Sequence, residues 1–146
     1  MHRILPIFIS TVCGLSFAPM IIALPLIAHQ NQMVSADSIG ATIHVDPNDI
    51  PLAGEASQTW FMLAQKDGSM IALENCDCQV MAYDSNNEPL AHHLPLSTIS
   101  VQGHEAIGTT ITFPTPGSYT VVLSGESKDG SFSPFRIEFP IMAVNP

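Results

Sequence analysis

The sequence predicts an all-β fold, an immunoglobulin-like antiparallel β-sandwich of about seven strands that follows an N-terminal signal peptide or membrane-anchor helix. Three observations support this prediction. Short apolar segments alternate with turn-forming residues from residue 41 onward, several segments alternate apolar and polar side chains, and no window has helical periodicity of useful length. A chain of 146 residues is long enough for one such domain.

The amino end has the layout of a secretory signal peptide. Met1-His2-Arg3 gives a positive start, residues 4–28 carry no charge, and Val34-Ser35-Ala36 is a small-residue cleavage site. Cleavage after Ala28 is an alternative, and so is retention of the apolar segment as a membrane anchor, although three prolines weaken such a helix. We therefore expect a signal peptide or anchor over residues 1–36, a sandwich domain over 37–146, and export.

Seven apolar segments are the predicted strands. Gly, Pro, Asn or Asp residues, which favour turns, separate most of them. In chain order the segments cover residues 41–45, 57–65, 69–73, 78–84, 106–113, 118–124 and 132–144. The stretch 90–105 has a weak pattern, so we expect a long loop there with one edge strand.

Alternation within the last three segments predicts the core. A period of two places apolar side chains on one face and polar ones on the other, as in a strand packed on one side. The inward positions are Ile107, Thr109, Ile111 and Phe113, then Tyr119, Val121 and Leu123, then Phe135, Ile137, Phe139 and Ile141. Residues 60–64 are apolar at every position, which predicts a central strand.

Charge excludes several classes of partner. All 13 acidic residues lie after residue 36, where only Lys66, Lys128 and Arg136 oppose them. Such an acidic surface repels phosphate backbones and anionic lipid headgroups. We therefore predict no nucleic-acid partner, and membrane contact only through the N-terminal segment if it is uncleaved. Cations, neutral ligands and proteins remain as partners.

Two cysteines, Cys76 and Cys78, are the most informative residues after position 36. On an extended strand their side chains leave the same face about 6.6 Å apart, whereas a disulfide places Cβ atoms about 3.8 Å apart, so a bond between them requires a kink. Three interpretations stay open: a thiolate pair for a soft metal such as Cu(I), buried structural thiols, and a disulfide or redox pair.

Other soft-metal ligands are spread along the sequence. His92 and His93 are adjacent, so on a strand they point to opposite faces, whereas on a loop both can reach one ion. We keep them with Cys76 and Cys78 as the candidate metal ligands. By chemistry alone, the further candidates are His44, His104, Met62, Met70 and Met81, for which a structural role is the simpler interpretation.

Motifs of familiar enzymes and calcium sites are incomplete. His104-Glu105 begins an H-E-x-x-H zinc motif, but Gly108 stands where the second histidine is required. Asp46 begins a segment like a calcium loop, but Pro51 stands at the position of the invariant glycine. We therefore predict that the protein is not an enzyme and has no catalytic residues.

The second half of the chain resembles the CopC-type and YtkA-like copper-resistance domains of bacterial envelopes. The likeness is carried by residues 113–121 (FPTPGSYTV), 127–130 (SKDG) and 135–139 (FRIEF), after an opening segment at 46–54. Those families have an immunoglobulin-like sandwich, and some members bind copper for storage or delivery. The resemblance therefore implies that fold, with copper as the bound metal.

One departure from that family pattern concerns its Cu(II) site. In the copper-binding members a histidine follows the S-x-D-G turn and another begins the mature chain, whereas here Ser131 follows Gly130. The resemblance therefore does not imply that this protein has the Cu(II) site of those members. Residues 60–63, the cysteine pair, 83–84 and 132–135 are also similar to an exported cyanobacterial family, which implies the periplasm or the thylakoid lumen.

Together these features predict a non-catalytic extracytoplasmic binding module that handles copper through Cys76 and Cys78. The alternative is a protein-interaction or structural domain that docks on a cell-envelope complex. The predicted partners are accordingly a soft metal ion or an envelope protein.

Overall fold

The structure, a computed structural model, describes the backbone of residues 33–36 and both backbone and side chains of residues 38–91 and 93–146. A single short 3-10 helix and nine strands occur in this described part. The helix is Leu73–Asn75, and the strands are β1 Met33–Ala36, β2 Ile39–Val45, β3 Ala56–Gln65, β4 Cys76–Tyr83, β5 Pro89–Ala91, β6 Ser97–Val101, β7 His104–Thr112, β8 Gly117–Ser127 and β9 Phe135–Ala143.

The strands form two antiparallel sheets. One sheet has the order β1-β2-β3-β7-β6 and the other β5-β4-β8-β9. The suborders β2-β3-β7-β6 and β4-β8-β9 correspond to the A-B-E-D and C-F-G sheets of an immunoglobulin domain. The prediction of an all-β, immunoglobulin-like antiparallel sandwich is therefore confirmed, with two more strands than the sequence suggested.

Buried side chains from both sheets form one core. The predicted inward positions of β7, β8 and β9 are all buried, including Thr109, whose hydroxyl donates to the carbonyl of Pro95 at 2.8 Å. Phe61 on β3 and Phe139 on β9 are fully buried, with ring centroids 5.8 Å apart. Since β3 and β9 belong to different sheets, this contact joins the two layers.

A tyrosine near the start of β8 fixes the connection from β7. The Tyr119 hydroxyl donates to the carbonyl of Thr115 at 2.7 Å and lies 3.2 Å from the backbone nitrogen of the same residue. Its ring packs on Phe113 with centroids 5.0 Å apart. A tyrosine at this corner, bonded to backbone a few residues upstream, is typical of immunoglobulin domains.

Two stretches differ from the sequence-based assignment. The predicted strand 69–73 is reduced to an isolated bridge between Ala64 and Met70, followed by the 3-10 helix. The stretch 90–105 contains the expected edge strand, β6, and also the end of β5, which lies at the edge of the other sheet. Every residue of these two short edge strands is exposed or half-buried, so the burial of one face that produces alternation in longer strands is missing.

The predicted signal peptide or anchor at residues 1–36 lies mostly outside the described residues and stays a prediction. Its last four residues form β1, which pairs with β2 from Ala36 opposite Ile39 to Met33 opposite Thr42. Within the described ranges there is no apolar helix of membrane-spanning length.

Candidate functional site

Cys76 and Cys78 lie at the first positions of β4, beside the end of β8. Cys76 pairs with Ser127 and Cys78 with Gly125. The two cysteines form a disulfide, and their Cα atoms are 5.1 Å apart, shorter than the roughly 6.6 Å span of two residues in a regular strand. The strand is therefore contracted at Asp77, which is the kink that the sequence analysis required for such a bond.

The two sulfurs differ in their access to solvent. Cys76 is buried in the core with 2% of its surface exposed, whereas Cys78 is half-buried at the edge of that core. The intervening Asp77 and the following Gln79 point outward and are exposed. Cys78 is therefore the more exposed of the two cysteines.

Gly125, directly across from Cys78, leaves space for the sulfurs. A Cβ added at Gly125 would lie 2.8 Å from Cys76 Sγ, 3.0 Å from Cys78 Sγ and 3.1 Å from the carbonyl oxygen of Asp77. The sulfur pair thus occupies the volume that any side chain at position 125 would require. Gly125 was not among the site residues predicted from the sequence, although a glycine inside a strand often marks such a close approach.

The turn after β8 joins this end of the sandwich to the 3-10 helix. The backbone N–H of Lys128 donates to the carbonyl of Asn75, the residue before Cys76, at 3.1 Å. Within the turn, the N–H of Ser131 donates to Ser127 Oγ at 2.9 Å and to Asp129 Oδ1 at 3.0 Å. Ser131 therefore stabilises the turn at the position where the resembling copper-binding families have a histidine.

Hydrogen bonds in this turn lower the pKa of Asp129. The hydroxyl of Ser127 contributes most, followed by the hydroxyl and N–H of Ser131, and the pKa falls from the ordinary value of 3.8 to about 2. Because the folded-state pKa is depressed, the carboxylate favours the folded turn above the ordinary pKa, and this contribution disappears as the pH falls through about 2.

We expect an NMR titration of the Asp129 carboxyl to show a midpoint near pH 2, and Ser127→Ala to move it toward 3.8. Asp67 is the matched control, because its pKa is lowered by a separate hydrogen bond from the Ser69 side chain. An Asp129 midpoint that does not move in Ser127→Ala would contradict this assignment.

The histidines do not join the cysteine pair in the described part of the chain. His93 is exposed just after β5, with a φ of 54°, and His92 lies outside the described residues. No three His, Cys, Asp or Glu side chains among the described residues are placed to hold one ion together. The assignment of Cys76, Cys78, His92 and His93 as metal ligands therefore remains a prediction.

The remaining soft-ligand candidates have structural partners or lie elsewhere. His44 stacks on Trp60 with ring centroids 5.3 Å apart, and its Nδ1 is 3.3 Å from Asp49 Oδ1. Met81 Sδ accepts a hydrogen bond from the Tyr83 hydroxyl at 3.3 Å. His104 is exposed at the start of β7. Each of these contacts fits a structural role.

Several solved structures share this fold. A DUF4426 family protein from Pseudomonas aeruginosa PAO1 aligns with a TM-score of 0.57 and 11% identity, covering 79% of this chain and 97% of that one. A copper-bound variant of FetP from uropathogenic Escherichia coli strain F11 aligns with a TM-score of 0.59 and 10% identity, covering 80% of this chain and 97% of that one. The 'as isolated' FetP of the same strain, recombinantly expressed in the E. coli periplasm, aligns with a TM-score of 0.57 and 10% identity, covering 80% of this chain and 95% of that one.

At these identities the likeness establishes the fold that the sequence resemblance implied. No protein-family model and no curated protein sequence matches this chain. Function must therefore be argued from the side chains of this molecule.

The chemistry of the cysteine pair depends on its oxidation state. In the disulfide the sulfurs are bonded to each other and are not thiolates, which are the form that binds metals. Both cysteines belong to one face of β4, with Gly125 opposite Cys78, and reduction would convert them into a pair of thiols. Paired thiolates suit soft ions such as Cu(I), so the donor set fits copper in the reduced state.

A separate concavity of about 650 Å³ lies on the outer face of the first sheet, along β2 and β3. Met62 and Met70 line it with Gly40, Ala64 and Lys66. The thioethers of Met62 and Met70 face away from the core, whereas Cys76 faces inward from the other sheet. The structure therefore does not bring these methionines together with the cysteine pair.

Proposed function

We propose that this protein is an exported, non-catalytic binding module of the cell envelope that handles copper by holding Cu(I) between reduced Cys76 and Cys78. The observation that carries the proposal is the placement of both sulfurs against Gly125 at one end of the sandwich. Two soft donors on one side of a strand, with glycine opposite Cys78, provide a small site for a soft ion.

The charge of the chain and the shared fold support the same function. The net charge of −9 favours the approach of cations over anions. A FetP variant of the same fold binds copper. The site proposed here is a different one, because Ser131 takes the place of the histidine that the CopC-type pattern would supply.

A second candidate function is docking on an envelope protein through β6. This strand lies at the edge of its sheet, and its five residues, STISV, include no charge and no proline. Such an edge is open to a partner strand. By contrast, the edge strand β9 carries Pro140, which has no N–H, and an outward ion pair between Arg136 and Glu138.

The test is an anaerobic Cu(I) titration of the reduced full chain against a chromophoric Cu(I) chelator. We expect one Cu(I) ion to bind per chain, and we expect the double variant Cys76→Ser/Cys78→Ser to lose that ion. Met70→Ala is the matched control, because it removes a soft ligand from the outer concavity while leaving the cysteines in place.

Unchanged stoichiometry in a folded double variant, checked by circular dichroism, would refute copper binding at this pair. Capture of an envelope protein that persists in the double variant and disappears when a proline is placed in β6 would instead favour docking. Both outcomes use the purified double variant, and the second also uses a variant with the proline in β6.

A further inference from the structure

We infer that Cys76–Cys78 is an exchangeable redox pair rather than a structural crosslink, and that Cys78 is the sulfur which a dithiol reductant attacks. This inference goes beyond the proposed function and does not depend on metal binding. It rests on the length of chain that the bond encloses, on the different burial of the two sulfurs, and on the contact with Gly125.

The disulfide encloses too little chain to be an efficient crosslink. A disulfide stabilises a protein mainly by restricting its unfolded chain, and this effect shrinks as the enclosed loop shortens. Only three residues, from Cys76 to Cys78, are enclosed here, so the restriction of the unfolded chain is close to the smallest that a disulfide can impose. The two cysteines also lie on the same strand, so the bond joins neither two strands nor the two sheets.

The surroundings of the sulfurs decide where exchange begins. Thiol–disulfide exchange starts when a thiolate attacks one sulfur of the disulfide, and access is one of the factors that select that sulfur. Cys76 is 2% exposed and belongs to the core cluster, whereas Cys78 is half-buried between two exposed residues. Attack therefore occurs at Cys78, and Cys76 is the leaving group.

The exchange is a transfer of two electrons and two protons from a dithiol. One thiolate of the reductant attacks Cys78 Sγ, the bond between the cysteines breaks, and the Cys76 sulfur leaves as a thiolate that takes up a proton. The second thiol of the reductant then attacks the mixed disulfide, releasing Cys78 as a thiol. The reductant departs as a disulfide, and the protein pair becomes a dithiol.

Gly125 leaves room for the sulfur pair beside β8. The bonded sulfurs occupy the place of a Cβ at position 125, and in the dithiol state the separated sulfurs need still more room. A side chain there would compete with the sulfurs in both states. The structure therefore places the pair where the strand opposite has no side chain to displace.

The single variants Cys76→Ser and Cys78→Ser test the order of attack. Each leaves one thiol of the pair besides Cys13, which is replaced by serine in both variants, and the proteins are treated with oxidised glutathione in native buffer without metal. We expect Cys78, the thiol that remains in Cys76→Ser, to form the mixed disulfide with glutathione at least about tenfold faster than Cys76, the thiol that remains in Cys78→Ser. In denaturant, where burial is lost, the two rates should become similar.

A second measurement uses the wild-type chain, so it does not depend on whether the variants fold. The protein is reduced with dithiothreitol in native buffer and briefly alkylated with iodoacetamide, and the modified cysteine is identified by mass spectrometry. We expect native reduction, with Cys78 alkylated before Cys76. A disulfide reduced only after unfolding, or alkylation of Cys76 first, would overturn the inference, whereas failure to bind Cu(I) would leave it intact.

Discussion

Replacing Phe61 with alanine is expected to lower the free energy of unfolding by about 3–5 kcal/mol, the usual range for truncating a buried aromatic ring. Phe61 is 0% exposed and packs on Phe139, also 0% exposed, from the opposite sheet. The variant removes this contact between the layers and leaves a cavity in the middle of the core. Urea denaturation followed by far-ultraviolet circular dichroism measures the change.

Met142→Ala is the matched control for this variant. Met142 lies on β9, the strand that carries Phe139, but its side chain points outward and is 46% exposed. We expect its loss to change the free energy of unfolding by no more than about 0.5 kcal/mol. A loss below about 1 kcal/mol for Phe61→Ala, or equal losses for the two variants, would show that the two layers do not share this core.

Gly125→Ala is expected to destabilise the oxidised protein by about 1–3 kcal/mol, because the added methyl group overpacks the site against the disulfide. Its Cβ would lie 2.8 Å from Cys76 Sγ and 3.1 Å from the Asp77 carbonyl oxygen, and the backbone atom cannot move away as a flexible side chain can. Under the proposed function, the same variant should also bind Cu(I) more weakly after reduction.

Gly40→Ala provides the comparison for a glycine inside a strand. Gly40 lies in β2, where an added Cβ meets no atom within 4 Å, so we expect a neutral or slightly stabilising effect. The same Gly125→Ala change should cost much less stability when it is made in the double variant Cys76→Ala/Cys78→Ala, because the methyl group then no longer meets a sulfur. Equal losses with and without the cysteines would contradict the steric explanation.

Much of the fold could be predicted because it follows from local pattern. Inward positions such as Ile111, Tyr119 and Ile137 alternate with polar neighbours, and all are buried as expected. The prediction of a full strand over 69–73 is wrong, because an apolar stretch beside a turn resembles a short strand in sequence. In the structure, the pairing of β7 with β3 stops at Phe61. Further along β3, Ala64 forms a single bridge with Met70 of the segment 69–73.

The candidate site was predicted only in part. Cys76 and Cys78 were identified by residue type and spacing, and the kink needed to join them is present. Gly125 is 47 residues further along the chain than Cys78, so no local pattern relates them, and only the pairing of β8 with β4 makes them neighbours. The unequal burial of the two cysteines likewise appears only in the folded chain, where Cys76 joins the core and Cys78 packs at its edge.

By itself, the sequence determined the β-sandwich, its core faces, its acidic surface and its pair of soft ligands, because these follow from periodicity, composition and residue chemistry. Only the tertiary structure decided that the sulfurs are bonded, that they lie against a residue without a side chain, and that one is more accessible than the other. The physical reason is that packing between residues distant in sequence depends on strand register and sheet order, which short-range periodicity does not encode.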